Sequence, residues 1–403
     1  MSDTEITPPG KTATQRLMSL DALRGFDMFW IVGAEEIVHA LHKVSQTGVV
    51  NGMAAQMSHV KWEGVHFYDL IFPLFVFIVG VSLVFSLGRI VQESGKLAAL
   101  KRIFWRGLLL YAIGVLYYGG FVHGVDRIRL MGVLQRMALC YFFTGIIFCT
   151  FKLRGMIITC VALLLGYWAL MAWVPIRDIQ LDKNNLERLA QQMGTTNAVE
   201  LFYQTTHTVT GKYDPGLNLA NHIDFQYLPF RRWDTYYDPE GLLSTLSAVA
   251  TCLLGVFAGL LLRNKTFGQQ EKVFWLLGAG VAGVLLGHLW GLQFPVIKKI
   301  WTSSYVLVAA GYSCLFLAVF YQIIDVWKFQ KWSLPFVWIG MNPITIYLAH
   351  NLIDFETTAN RFVGGPIKGS LGNYGELLVT FVVMALSFLL VRFLYQRKIF
   401  LRV

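Results

Sequence analysis

Residues 59–83 read HVKWEGVHFYDLIFPLFVFIVGVSL. A polar, aromatic approach with two histidines, two acids and a lysine runs straight into an apolar stretch. That stretch starts near Leu70 and meets no charged residue until Arg89. An apolar run of about 18 residues or more reads as a membrane helix. His59, Lys61, Glu63, His66 and Asp69 therefore sit at a membrane boundary, where titratable groups are costly unless solvated or used.

The rest of the chain repeats the pattern. Its 403 residues are 55% hydrophobic and only 14% charged, against about 25% charged in soluble domains. The fold class this predicts is an all-α polytopic membrane protein. Taking roughly 20 residues per crossing gives about ten transmembrane helices. They fall near Leu20–Leu41, Leu70–Leu87, Ile103–Phe121, Met131–Phe151, Met156–Pro175, Gly241–Leu262, Val273–Gly291, Ser303–Ile324, Leu334–Asn351 and Leu377–Tyr395. The domains expected are a cytoplasmic leader (1–19), helices 1–5 with the His59 segment (20–175), one long extracytoplasmic loop (176–240) and helices 6–10 (241–403). The leader is polar, and no cleavable signal peptide is expected.

The net charge of +10 fits positive cytoplasmic loops facing a lipid bilayer, not nucleic acid. With the N-terminus inside, the short inner segments carry eighteen Lys and Arg against eight outside. Both termini are thus expected in the cytoplasm, with the protein in the cell inner (cytoplasmic) membrane. All five cysteines lie in apolar runs, so neither a disulfide framework nor a metal site is expected.

Several groups could carry chemistry. Asp21 and Arg24 are three apart and share a helix face, as an ion pair or a ligand site. Glu35 and Glu36 close the first span, where one carboxylate faces the interior or a wet cavity. Arg127 and Arg129 can snorkel to the boundary, whereas the deeper Arg136 needs an anion or carbonyls. Arg89, Lys96, Lys101, Arg102 and Arg106 form a basic connection that suits nucleotide phosphates or simply the inner-side charge bias. Asn342 before Pro343 predicts a kinked ninth span, with His350 beyond it. The 176–240 loop concentrates aromatic residues such as Phe202, Tyr203, Phe225, Trp233 and Tyr237, which suit either a sugar ring or an interfacial belt. His59 ranks first among the candidates because of its neighbours Trp62, Glu63, His66 and Asp69. Neutral imidazole serves as a base or as a nucleophile.

Six segments together resemble the heparan-alpha-glucosaminide N-acetyltransferase family of membrane acyltransferases, in its shorter bacterial form. They are RLMSLDALRGFDMF, HVKWEGVHFYDLIFPLFVFIVGVSL, RIRLMGVLQRMALCYF, YDPEGLLSTLSAVATCLLGVFAG, PVIKKIWTSSYVLVAAGYSCLF and PFVWIGMNPITIYLAH. The resemblance implies transfer of an acetyl group from cytosolic acetyl-CoA, as co-substrate, to the amine of a glucosamine-type sugar on the far side. It places the family's active histidine, in H-x-x-W-x-G before D-L-x-F-P, on His59. Asp69 or Glu63 would then fix its tautomer. The cofactor-binding candidates are Arg24, Arg136, Arg102, Arg106 and Asn342. The acceptor-binding candidates are Glu35, Trp62, Asp224 and Asp238, with Asp224 matched through an N-L-x-x-x-I-D pattern. Glu35 falls where lysosomal members carry an asparagine. A homodimer is compatible with the family, and metal is not expected. The alternative from another class is a secondary transporter of a sugar or small anion, for which Glu35, Arg136 and the Asn342-Pro343 break also suit. A glycan-binding scaffold is a third class.

Overall fold

The computed structural model describes residues 17–122 and 124–401. Most of the leader, with Lys11 and Arg16, and Arg402 lie outside the described residues.

Seven helices among the described residues are long and apolar enough to cross a membrane. They are Phe67–Tyr117, Val133–Thr150, Leu153–Trp173, Thr245–Arg263, Gln269–Gly291, Ser303–Val326 and Tyr374–Gln396. Four expected spans are accounted for differently. The second and third lie on one element, whose two helical halves, 71–94 and 96–117, meet at Gly95 with φ 83°. Only glycine adopts that conformation at low cost, so it redirects the chain without a loop. The first expected span runs as Met18–Phe29, a π-helical turn Trp30–Ala34 and Glu35–Val44. The turn contains Gly33 at φ 137°. The ninth is Leu334–Met341 followed by Pro343–Leu352, parted at Asn342, with Pro343 opening the second helix. Proline there has no amide hydrogen to donate and its fixed φ suits a first turn.

Between apolar helices in lipid, attraction comes from close backbone approach rather than water release. The helix Met18–Phe29 meets Leu334–Met341 in this way. A Cβ on Gly25 would collide with the Phe336 carbonyl, and one on Gly340 with the Asp21 carbonyl.

The 176–240 segment is not a bare loop. It holds a two-stranded ribbon, Ile176–Arg177 with Thr208–Val209, and helices Lys183–Met193, Ala198–Gln204 and Leu219–Tyr227. Its aromatic residues divide. Phe202, Phe225 and Tyr237 are buried, the first two in the segment's own cluster, while Tyr203, Tyr227, Phe230 and Trp233 are exposed. A second apolar cluster joins this segment to the rest. Ile176 and Leu219 pack with Phe294, Ile297 and Ile300, and Trp62 rests against them. This cluster positions the site.

Candidate active site

The His59 segment follows the short helix Gly48–Gln56 and runs as an irregular, bent stretch before the turn Phe67–Leu70. It has no helix or strand of its own, so its shape comes from contacts with other parts of the chain. Glu63 forms an antiparallel bridge with Ile297, and Gly64 N–H donates to the Val296 carbonyl at 2.9 Å. The Trp62 indole N–H donates to the Tyr213 carbonyl at 2.8 Å. Three parts of the chain thus hold the segment: the 292–302 connection, the long loop and the start of the second span.

His59 is half exposed, with 54% of its side chain accessible, while Asp69 is fully buried. His59 Nδ1 lies 2.7 Å from Asp69 Oδ1. The other carboxylate oxygen accepts the backbone N–H of Val60 at 3.2 Å and of His66 at 3.1 Å. The Asp69 carbonyl accepts from the buried Tyr305 hydroxyl at 2.7 Å. The Tyr68 ring packs on His59 with centroids 4.9 Å apart. An acid held this way directs the Nδ1 hydrogen toward itself and leaves Nε2 with a free lone pair. The arrangement suits proton abstraction or acyl acceptance at Nε2.

Lys298 completes the group. Its Nζ lies 3.1 Å from His59 Nδ1 and donates to Asp69 Oδ1 at 3.2 Å. Burial pushes its ammonium below the usual lysine range, and Asp69, Glu240 and Glu35 pull it back up. Lys298 counts only as an outer-segment charge in the sequence, and sequence reasoning gives it no role. The signal available was a double lysine on the side that is otherwise poor in them.

The other candidates are placed as follows. Of the two acids proposed to fix the His59 tautomer, Asp69 makes the bond. The Glu63 side chain is exposed, and its backbone makes the bridge to Ile297. Glu35 is partly buried and lies within the field of Lys298.

Asp224 and Asp238, expected near an acceptor, are 1% exposed and engaged by the fold. Asp224 accepts the backbone N–H of Leu242 at 2.8 Å and of Asp238 at 3.3 Å. Asp238 takes both Nε and Nη2 of Arg129, at 2.9 and 2.7 Å. Arg129 therefore does not snorkel. It is 3% exposed, also pairs with Glu240 at 2.7 Å, and lies over the Tyr118 and Trp233 rings.

The cofactor candidates do not converge. Arg24 donates to Asp21, to the Gly340 carbonyl and to Ser82 Oγ, at 3.3, 3.2 and 2.6 Å. Arg136 is fully buried under the Trp301 ring and donates to Ser244 and to the Gly241 carbonyl. These two partner sets share no residue. Arg102 is exposed, and Arg106 lies 4.9 Å from the Tyr141 ring centre. Asn342 ties the C-terminal stretch by donating to the Ile399 carbonyl at 3.0 Å and accepting from Leu401 N–H. No cluster of three or more potential metal ligands occurs among the described residues.

Comparison with known proteins agrees with the resemblance drawn from the six segments. Residues 16–187 match the family model described as heparan-alpha-glucosaminide N-acetyltransferase, catalytic. The chain is 27% identical over 388 residues to heparan-alpha-glucosaminide N-acetyltransferase of Mus musculus, covering 86% of this chain and 56% of the relative. It is 26% identical over 424 residues to the Homo sapiens protein, covering 96% of this chain and 60% of the relative. It therefore spans somewhat over half the length of these relatives. The matched region contains His59, Asp69, Arg24, Arg102, Arg106 and Arg136.

Proposed function

We propose that this protein is a transmembrane acetyltransferase that moves the acetyl group of acetyl-CoA to the amine of a glucosamine-type sugar, with His59 at the reacting centre. The observation that carries the reading is the His59–Asp69 pair. A half-exposed imidazole is held at 2.7 Å by a buried carboxylate, in a segment matched by the family's catalytic model. Two routes fit the geometry. In the first, Nε2 takes a proton from the acceptor amine as its nitrogen attacks the thioester carbonyl carbon. The new C–N bond forms, the C–S bond breaks, and the proton held on Nε2 passes to the departing sulfur, so that CoA leaves as the thiol and the ring is neutral again. In the second, Nε2 itself attacks the thioester and releases CoA. CoA leaves as the thiolate; the amine then attacks the acetyl-imidazole, the C–Nε2 bond breaks, and the proton that the amine loses balances the thiolate's charge.

In this reading the chain crosses the membrane ten times, counting the two broken spans and both halves of the bent element. Both termini lie in the cytoplasm of an inner-membrane protein. The exposed Arg102 and the half-buried Arg106 meet the phosphate end of CoA, and Glu35 faces the amine of the acceptor. The transporter alternative draws on the two interrupted spans and on the buried, unpartnered carboxylate of Asp27. The two are separated by labelled acetyl-CoA and glucosamine, given to purified wild type and His59→Ala in detergent. Transfer by wild type that falls to background in the variant, with CoA binding kept, supports the acetyltransferase. Absence of both CoA binding and transfer in wild type overturns it in favour of transport.

A further inference from the structure

Two groups compete for one nitrogen of the His59 ring. Nδ1 lies 2.7 Å from Asp69 Oδ1 and 3.1 Å from Lys298 Nζ. Lys298 Nζ is also 3.2 Å from that same Asp69 oxygen. Nδ1 cannot donate to the carboxylate and accept from the ammonium at once. Asp69 is held as an acceptor by two backbone N–H groups, so Nδ1 gives its hydrogen to Asp69 and Lys298 serves the carboxylate.

An uncompensated buried carboxylate stabilises a second proton on the imidazole, which would occupy Nε2. A fixed positive charge about 3 Å away opposes that second proton. The other charged groups around Lys298 are Glu35 from the first span and Glu240 from the end of the long loop. Both attract its charge. Lys61, Glu63 and His66 flank His59 on its own segment, with Lys61 and Glu63 turned to the surface. The Lys298 side chain keeps 18% exposure, and its backbone is fixed because Ile297 pairs with Glu63.

We propose that Lys298 is a positioning residue that acts through Asp69, offsetting its charge so that the His59 ring stays neutral and Nε2 stays free to react. This rests on the reading of His59 as the reacting group and adds the residue that keeps it reactive.

The test does not need turnover. Diethyl pyrocarbonate modifies neutral imidazole, so its rate at His59 across about pH 5 to 8 reports the ring's proton affinity. Peptide mass spectrometry reads that rate on wild type, Lys298→Met and Lys298→Arg, each taken from the folded gel-filtration peak. The pH midpoint does not depend on how much of a variant folds. We expect modification of His59 in Lys298→Met to be about tenfold slower at the acid end, which corresponds to a midpoint one pH unit higher. Lys298→Arg should follow wild type. A Lys298→Met midpoint equal to wild type overturns the proposal, and so does an Arg variant displaced as far as the Met variant. A shifted midpoint in a protein that transfers no acetyl group would keep the Lys298–His59 coupling and overturn the acetyltransferase reading alone.

Discussion

Asp69 does two jobs with two oxygens, and the division makes a sharp expectation. Oδ2 is claimed by the Val60 and His66 N–H groups, and Oδ1 faces His59 and Lys298. In Asp69→Asn the amide oxygen must stay with the two backbone donors. The NH₂ then faces His59 Nδ1 and donates to it. The ring hydrogen moves to Nε2, which can neither accept a proton nor attack a carbonyl. The expected loss in kcat is about 10² to 10⁴-fold, with CoA affinity nearly unchanged. An Asn variant of wild-type kcat would show that Asp69 does not set the tautomer. Much at this scale was readable in the sequence. His59 and Asp69 stand ten residues apart in one polar stretch before a long apolar run, where Glu63 was the one other acid that could have met the imidazole. Lys298 was not readable, since it lies 239 residues from His59. The backbone bridge that delivers it leaves no side-chain pattern. Arg129 was misread because an arginine at a span edge usually reaches for water, and its acids, Asp238 and Glu240, arrive from the far end of the long loop.

Among the elements, the legible breaks were those with a chemical cause in the sequence. Pro343 lacks an amide hydrogen, and the interruption of the ninth span at Asn342 follows from it. The break in the first span was hidden. WIVGAEE reads as continuous helix until Gly33 is seen at φ 137°, and a glycine in an apolar run carries no such mark. The join between the long loop and the helix Thr245–Arg263 was half legible. Its acids were visible, and their engagement with backbone was not. Asp224 lies in the loop's last helix, Leu219–Tyr227, and secures this join. Burial pushes its carboxyl up from the ordinary aspartate value of 3.8 to about 7, opposed by the Leu242 and Asp238 N–H groups and by Arg136. The unfolded chain therefore releases this proton near pH 3.8, while the folded chain holds it to about 7. Between those values the folded state binds more protons, so the contribution of Asp224 to stability is full below the lower value and falls as pH rises. Asp224→Asn cannot titrate. The melting temperature of wild type minus that of the variant should be flat in the acid range, then shift in favour of the variant up to neutral pH. A difference that does not change with pH would place the Asp224 carboxyl in water in the folded state.

For the whole molecule, the chemistry proposed requires His59 and the basic connection to face opposite sides of the membrane. The long apolar runs made the polytopic class legible, since no soluble domain of this length could hide them. The number of crossings was harder to read, because the second and third spans share one bent element and two others are interrupted. The fold gives a direct way to establish sidedness. The native cysteines Cys140, Cys149, Cys160 and Cys252 are buried, and Cys314 is partly so. Single added thiols can therefore be read over a low background. Lys61 is exposed two residues from His59, and Leu97 is 81% exposed in the basic connection beside the Gly95 bend. In intact cells a membrane-impermeant maleimide should label Lys61→Cys at once and Leu97→Cys only after permeabilisation. That pattern puts the His59 end outside and the basic groups where cytosolic CoA is found. Equal labelling of both thiols in intact cells would bring His59 and the basic connection to one side. The donor would then have no membrane to cross, and acetyl transfer through the bilayer would lose its reason.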